Sequence, residues 1–350
     1  MSIPKTIGWD LGGVHVKAAL IRDGRIAAAV QVPCPLWQGV SALDSALEIM
    51  PDWAREEASH AVTMTGELTD CFADRTAGVA ALSDWAAARL EGPVRIYAGR
   101  DGFVTPEAAP RSAFAIASAN WHATAALVGR LVPDALLVDI GSTTADLIPI
   151  VAGRPAATGY SDAERLETGE LVYTGVVRTP LIGLTDHAPF LGRRTRLMTE
   201  TFAHIADAYR ILGDLPPAAD QQGTGDRKGK SVAECETRLA RIVGRDRGEG
   251  SPEAWAALAR HFAEAQLRLL HDAAAALLSR PDMPPEAPLV TCGAGAFVGA
   301  RLAARLGRPN LGFAESLAPR IAPDASRDAA WISTCGPAVA VGLIAEDTHP

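Results

Sequence analysis

Leu136-Leu-Val-Asp-Ile-Gly-Ser-Thr-Thr-Ala-Asp-Leu-Ile-Pro-Ile150 decides how the rest of the chain is read. Its opening apolar run has the length of a buried strand. It breaks at Gly141 into Ser142, Thr143 and Thr144, with Asp139 before the turn and Asp146 after it. A glycine lets backbone N–H groups close on an anion, hydroxyls donate to its oxygens, and a carboxylate can hold a hydrated divalent cation against it. The same parts recur in Ile7-Gly-Trp-Asp-Leu-Gly-Gly-Val-His-Val-Lys-Ala-Ala-Leu20, where Asp10 ends an apolar stretch, Gly12 and Gly13 make the turn, and a strand-like run resumes. One such turn is an ordinary hairpin, whereas two point to a pair facing one phosphate chain. A third glycine turn, in Pro288-Leu-Val-Thr-Cys-Gly-Ala-Gly-Ala296, ends a strand at Gly293-x-Gly295 and opens a helix, which suits an anion or a flat ring against the main chain.

The 350 residues suffice for two domains with separate cores. With 33 basic and 41 acidic residues the net charge is −8, so nothing favours nucleic acid or an anionic membrane surface, and small-molecule partners are expected. No stretch has the roughly 20 apolar residues needed to span a bilayer. Met1-Ser-Ile-Pro-Lys-Thr6 carries no leader pattern, which gives a cytoplasmic expectation. The 5 cysteines are odd in number and lack CxxC spacing, and the 8 histidines form no HxxxH pair, so neither a disulfide framework nor a zinc site is indicated.

Three short strands are expected over Thr6–Trp9, Val16–Arg22 and Ile26–Val32, with Asp23-Gly24 as a hairpin turn, then a helix from Ser41 to Met50 with Ser41 as N-cap. A strand over His60–Met64 delivers Thr65-Gly-Glu-Leu-Thr-Asp70 at its carboxyl end, where Glu67 and Asp70 are candidate site carboxylates. They read equally as acids at a helix start. Asn120 and Trp121, ahead of a helical run Ala123–Leu131, either place an amide and an indole at the cleft mouth or simply cap and pack that helix, with capping the plainer reading for Asn120, and Pro133-Asp134 reads as a boundary between domains 1–133 and 134–350. The segment from Tyr160 to Pro180 is dense in polar groups without periodicity and reads as a binding loop. In it Arg165 and Arg178 suit an anion, Glu170 and Tyr173 a cationic or aromatic group, although Arg165 also reads as plain surface charge. Gly192–Arg196 reads as a solvated turn, Thr199–Leu212 and Ser251–Ser279 as helices, Asp214–Lys230 as a long loop that is either a lid or disordered, and Thr334–Ile344 as a packed, glycine-punctuated helix.

The paired turns resemble the two phosphate motifs of the actin, sugar kinase and Hsp70 superfamily, with the segment around Gly293 and Gly295 third in order. The strings Met64-Thr-Gly-Glu-Leu68, Ala119-Asn-Trp121, Val138 to Asp146, Gly169-Glu-Leu-Val-Tyr-Thr-Gly175 and Arg178-Thr-Pro180 are more specific. In this order they resemble the hydantoinase/oxoprolinase-related family linked to tetrahydromethanopterin-dependent one-carbon metabolism, over about the whole chain. The resemblance implies a two-domain actin-like α/β fold with a ligand cleft between the domains. It also implies a transferase step of methanofuran or methylofuran biosynthesis, joining an aminomethylfuran-methyl diphosphate to the phenol of a glutamyltyramine. Asp10, Asp139 and Asp146 would then hold Mg²⁺, and Gly12, Gly13, Gly141, Ser142, Thr143 and Thr144 would line the phosphates, with Gly293 and Gly295 completing the cofactor side. Tyr173 and Arg178 would grip the substrates. Glu170, Glu67 and His15 are unranked candidates for the base. One departure concerns ATP: the superfamily carries a Thr after the first glycines, where this chain has Val14 and His15. ATP therefore stands behind a different diphosphate ligand. An ATP-dependent kinase or amide hydrolase, and a nucleotide-switched scaffold, are the alternatives, and a homo-oligomer is left open.

Overall fold

Residues Lys5–Pro33 form three antiparallel strands, β1 (Lys5–Leu11), β2 (His15–Arg22) and β3 (Arg25–Pro33). The turn between β2 and β3 places Asp23 and Gly24 at φ +49° and +70°, the left-handed pair that a two-residue hairpin needs. These coordinates are a computed structural model that describes residues 5–348; the absence of a leader pattern read over Met1–Pro4 lies outside them. Next to β1 lie β4 (Ser59–Met64), β5 (Val94–Tyr97) and β6 (Phe103–Val104), giving the order β3-β2-β1-β4-β5-β6 with β1, β4 and β5 parallel.

The second sheet repeats this plan. Strands β7 (Ala135–Ile140) and β8 (Ala145–Val151) pair antiparallel, β9 (Arg154–Pro155) and β10 (Leu171–Val172) extend β8, and a hairpin of β11 (His187–Phe190) and β12 (Arg193–Arg196) stands apart. With β13 (Leu289–Cys292) and β14 (Asn310–Gly312) the order is β10-β8-β7-β13-β14, where β7, β13 and β14 are parallel. In each sheet an antiparallel hairpin partner flanks a central strand, and parallel strands follow on its other side. The result is the expected α/β arrangement built twice.

An apolar layer joins the two halves. Ile21 and Ile26 from the first sheet, Leu137 and Ile148 from the second, and Trp121, Val339 and Leu343 from two helices form one buried cluster. Those helices are Asn120–Leu131 and Gly336–Thr348. The second lies directly on β1: a Cβ at Gly8 would stand 1.9 Å from the Ala338 carbonyl oxygen, so only glycine permits the approach. Among the described residues no helix is long and apolar enough to cross a membrane.

Several local expectations change. Ser41 and Asn120 each open their helix from inside; Val40 and Ala119 occupy the cap positions without side-chain bonds. The helix expected from Thr199 starts at Ile205, because Pro180 and His204 form a β-bridge that keeps the approach extended. Gly192–Arg196 is half of a hairpin and not a bare turn. Within the supposed loop Tyr160–Pro180 a helix runs over Asp162–Thr168, started by a Ser161/Glu164 capping box and stopped by left-handed Gly169.

His60 makes a test of this core. Its Nδ1 accepts from Trp9 Nε1 at 3.0 Å and its Nε2 faces the Glu91 carbonyl at 3.1 Å, which fixes the neutral Nε2–H tautomer. Burial pushes its pKa from 6.5 down to about 4. The unfolded chain then binds the extra proton first as pH falls, so the stability held by neutral His60 is present above pH 6.5 and drains away toward pH 4. Relative to a His60→Gln variant, which can keep both hydrogen bonds, the wild type should lose about 3 kcal/mol between pH 7.5 and pH 4 in urea unfolding. A pH-independent difference would remove His60 from the acid response.

Candidate active site

The two glycine turns have the same geometry. Gly12 N–H donates to the His15 carbonyl at 3.0 Å, and Gly141 N–H donates to the Thr144 carbonyl at 2.9 Å. In both hairpins the aspartate two residues before the glycine is paired in register with the residue seven positions on: Asp10 with Lys17, Asp139 with Asp146. Both turns border one cleft of about 650 Å³, so two short local motifs present matched backbone to a shared space. Gly12, Gly13, Gly141, Ser142, Thr143 and Thr144 all line it, as do Asp10, Asp139 and Asp146.

The charges are unevenly paired. Lys17 Nζ lies 3.2 Å from Asp10 Oδ2. Burial works against the Lys17 ammonium, but the carboxylates of Asp10 and Asp139 outweigh it and hold its pKa above the ordinary value. Arg165 NH1 bonds Asp146 Oδ1, and its NH2 reaches Asp162 Oδ1 at 2.9 Å. Its guanidinium sits 4.9 Å from the Trp121 ring centre, and the side chain is 2% exposed, so the reading as surface charge is wrong. Among the described residues Asp139 has no cation in ion-pair contact. Burial pushes its pKa up to about 7, Lys17 opposes this, and Asp146 and Asp10 add to it.

The remaining candidates separate by position. His15 lines the cleft; burial, with Lys17 adding, lowers its pKa to about 3, so the ring is neutral, and its Nε2 is buried without a partner. Tyr173 and Arg178 stand on the cleft wall, with the Arg178 guanidinium 5.5 Å from the ring centre of Trp37 across the opening. Glu67 is fully buried behind Ser118, whose hydroxyl donates to its Oε1 at 3.0 Å. Glu170 is not at the cleft. Its carboxylate accepts from Thr158 N at 2.6 Å, Thr158 Oγ1 at 3.0 Å, Gly159 N at 2.8 Å and Thr168 Oγ1 at 2.9 Å, so it ties a loop together and has no lone pair to spare for a substrate. Gly293 and Gly295 also fall behind the wall. Gly293, at φ +83°, clears space for Asp139, whose Oδ1 would lie 2.4 Å from a Cβ there, and its N–H donates to Ser333 O. Gly295 donates to Ile140 O, which leaves Ala294 as the cleft residue of that turn.

The loop from Asp214 to Lys230 crosses toward the first sheet: Gln222 Nε2 donates to Val14 O at 2.9 Å and Gln221 Nε2 to Gln31 O at 3.1 Å. Ala219 of that loop lines the cleft. Sequence reasoning passed over Lys17, Ser118, Asp162 and Trp37. Lys17 had a signal: period-two alternation puts it on the face of His15, opposite Asp10 in a hairpin. The other three had none.

For Mg²⁺ the donors fit. Asp10 Oδ1 is buried without a partner among the described residues, and the cleft offers carboxylate and hydroxyl oxygens, the set a hard cation takes while keeping waters, beside the Lys17 ammonium already paired with Asp10 Oδ2. Among the described residues no group of three or more His, Cys, Asp or Glu side chains is placed to hold a metal ion, so phosphate oxygens and water would have to complete its shell.

The family model for Hydantoinase/oxoprolinase matches residues 58–316. The (4-{4-[2-(gamma-L-glutamylamino)ethyl]phenoxymethyl}furan-2-yl)methanamine synthase of Methanocaldococcus jannaschii is 33% identical over 242 residues, 69% of this chain and 72% of that protein. The synthase of the same name from Methanococcus vannielii is 36% identical over 108 residues, 31% of this chain and 48% of that one. A nucleotide-free acetone carboxylase structure superposes with a TM-score of 0.60 at 10% identity, over 97% of this chain and 70% of that chain, a likeness of fold. The doubled sheet about a cleft is the actin-like α/β fold that the paired motifs implied. The chain belongs to the hydantoinase/oxoprolinase family.

Proposed function

We propose that this chain is an ether-forming transferase of methanofuran-type cofactor biosynthesis, which couples an aminomethylfuran-methyl diphosphate to the phenol oxygen of a glutamyltyramine and releases diphosphate. The observation that carries it is the pair of Asp-x-Gly turns in matching register, bordering one cleft whose rim is aromatic at Trp37 and Tyr173. The printed name of the M. jannaschii relative describes a phenoxymethylfuran, the ether such a coupling makes.

In this reading the segments 1–133 and 134–350 supply the two walls. Backbone N–H groups of the glycine turns, the hydroxyls of Ser142, Thr143 and Thr144, and the Lys17 ammonium receive the diphosphate oxygens. Arg178 holds the same anion from the rim. As the furan-methyl carbon loses its bond to diphosphate, the electron pair leaves with that group, and donors already in place stabilise the growing charge. The phenol oxygen forms the new carbon–oxygen bond and gives its proton to the protein. Asp10 and Asp139, with Asp146 behind them, would hold Mg²⁺, which when bound neutralises charge on the leaving diphosphate. The strap at Gln221 and Gln222 helps keep water from the reacting carbon.

Wild-type protein supplied with furan-methyl diphosphate, γ-glutamyltyramine and Mg²⁺ should yield the coupled ether by mass spectrometry together with free diphosphate. Absence of the ether would overturn the assignment. Replacing Arg178 by Ala should cost on the order of 2–4 kcal/mol in kcat/KM, because a charged donor to the leaving group is lost. An unchanged rate would take Arg178 out of the site. Calorimetry of Asp139→Asn should show Mg²⁺-dependent diphosphate binding abolished and thermal stability equal or higher, since a buried carboxyl with a raised pKa gives up nothing by becoming an amide. Wild-type affinity in this variant would show that Asp139 holds no cation.

A further inference from the structure

Ser118 has a backbone conformation that serine rarely adopts. Its φ is +53°, in the left-handed region, between a short helix Ala113–Ile116 and the helix from Asn120. Such strain persists where neighbours over-determine it, and it gathers at functional sites. Here the conformation places the hydroxyl between two carboxyl groups, 3.0 Å from Glu67 Oε1 and 3.2 Å from Asp162 Oδ2. Ser118 and Asp162 line the cleft, whereas Glu67 is fully buried and its Oε2 has no partner. Among the described residues, the cleft-lining side chain that hydrogen-bonds Glu67 is Ser118.

One hydroxyl proton faces two carboxyl groups. Asp162 is paired with Arg165 at 2.9 Å and with Arg75 at 3.6 Å, whereas Glu67 has no ion pair among the described residues. Both contacts of Ser118 are satisfied together only if Glu67 brings a proton of its own; once Glu67 loses it, the serine hydroxyl turns to donate to Glu67. Burial pushes the pKa of Glu67 up to about 7, the bond from Ser118 and the charge of Arg75 oppose this, and Asp162 adds to it. His15, whose buried Nε2 also lacks a partner among the described residues, is too weak a base, for burial, Lys17 and Arg178 all press its pKa down.

We propose that Ser118 is a catalytic residue that passes the phenol proton of the acceptor substrate to Glu67. As the phenol oxygen bonds to the furan-methyl carbon and diphosphate departs with its electron pair, the phenol proton moves to Ser118 Oγ, and the serine's own proton moves to Glu67. Ser118 ends neutral and Glu67 ends protonated. The relay rests on the ether-forming reaction given above.

The test is the pH profile of ether formation, with Ser118→Gly as the main variant because glycine accepts the left-handed backbone without strain. Wild-type kcat should rise through pH about 7 as Glu67 ionises. Ser118→Gly should lower kcat about 100-fold with KM for the diphosphate substrate changed by no more than about twofold. Glu67→Gln should lower kcat equally and abolish the limb near neutrality, and in the Asp139→Asn background, which removes the other carboxyl raised to about 7, infrared spectra should show a protonated-carboxyl band that titrates and is missing once Glu67→Gln is added. Folded Ser118→Gly or Glu67→Gln protein with wild-type kcat and pH limb overturns the relay and leaves the coupling standing. Wild-type protein that makes no ether at any pH overturns the coupling and the relay with it.

Discussion

Three carboxylates at strand ends share one cleft with two cations paired to them. Asp10 has Lys17, Asp146 has Arg165, and Asp139 has neither. Burial above all, with the charges of Asp146 and Asp10 adding and Lys17 opposing, raises the Asp139 pKa to about 7, so the cleft keeps a proton near Asp139 until another positive charge arrives. A diphosphate entering the same space adds negative charge, so it is best accommodated together with a counter-cation. The buried, unpartnered Asp10 Oδ1 and the raised Asp139 carboxyl express the same imbalance from two sides.

The fold makes that crowding sustainable. Asp10 and Asp139 sit on the central strands of their sheets and Asp146 on the hairpin partner of the second, each next to a hairpin turn, and the two sheets are locked together through helix Gly336–Thr348 and helix Asn120–Leu131. Gly8 lets the first of these helices rest on β1 two residues from Asp10, and Gly293 leaves room for the Asp139 side chain. Small residues at these contacts set the distance between the walls, and the aspartates inherit it. The strap through Gln221 and Gln222 adds a second tie, made by side-chain amides to carbonyls of the first sheet.

The phosphate side and the proton-accepting side of the cleft are joined by one chain of polar contacts. It runs from Asp146 through Arg165 and Asp162 to Ser118 and Glu67. Arg165 is the pivot: it pairs with Asp146 beside the Gly141 turn and with Asp162 beside Ser118. In the proposed coupling, leaving-group departure and proton removal are two halves of one displacement, and the residues proposed for both lie on this network.

What the sequence determined by itself lies within short range. The spacing of Asp10 to Gly12 and Asp139 to Gly141, the hydroxyls after the second turn, and the Asp23-Gly24 hairpin are legible because strand, turn and strand fit within a few residues, and the resulting register is fixed by alternation. Lys17 was equally local and was missed only because the alternation was not followed past the turn. Glu67, Glu170, Arg165 and Ser118 could not be ranked from sequence. Glu67 gains its role from Ser118, 51 positions away, and Arg165 from Asp146, 19 positions away on another element. Glu170, in one of the more family-like strings, spends its oxygens on Thr158, Gly159 and Thr168. A side chain's exposure, its free lone pairs and its neighbours' charges are properties of the packed interior, so tertiary structure alone decided which carboxyl stabilises a loop and which one stands ready for a proton.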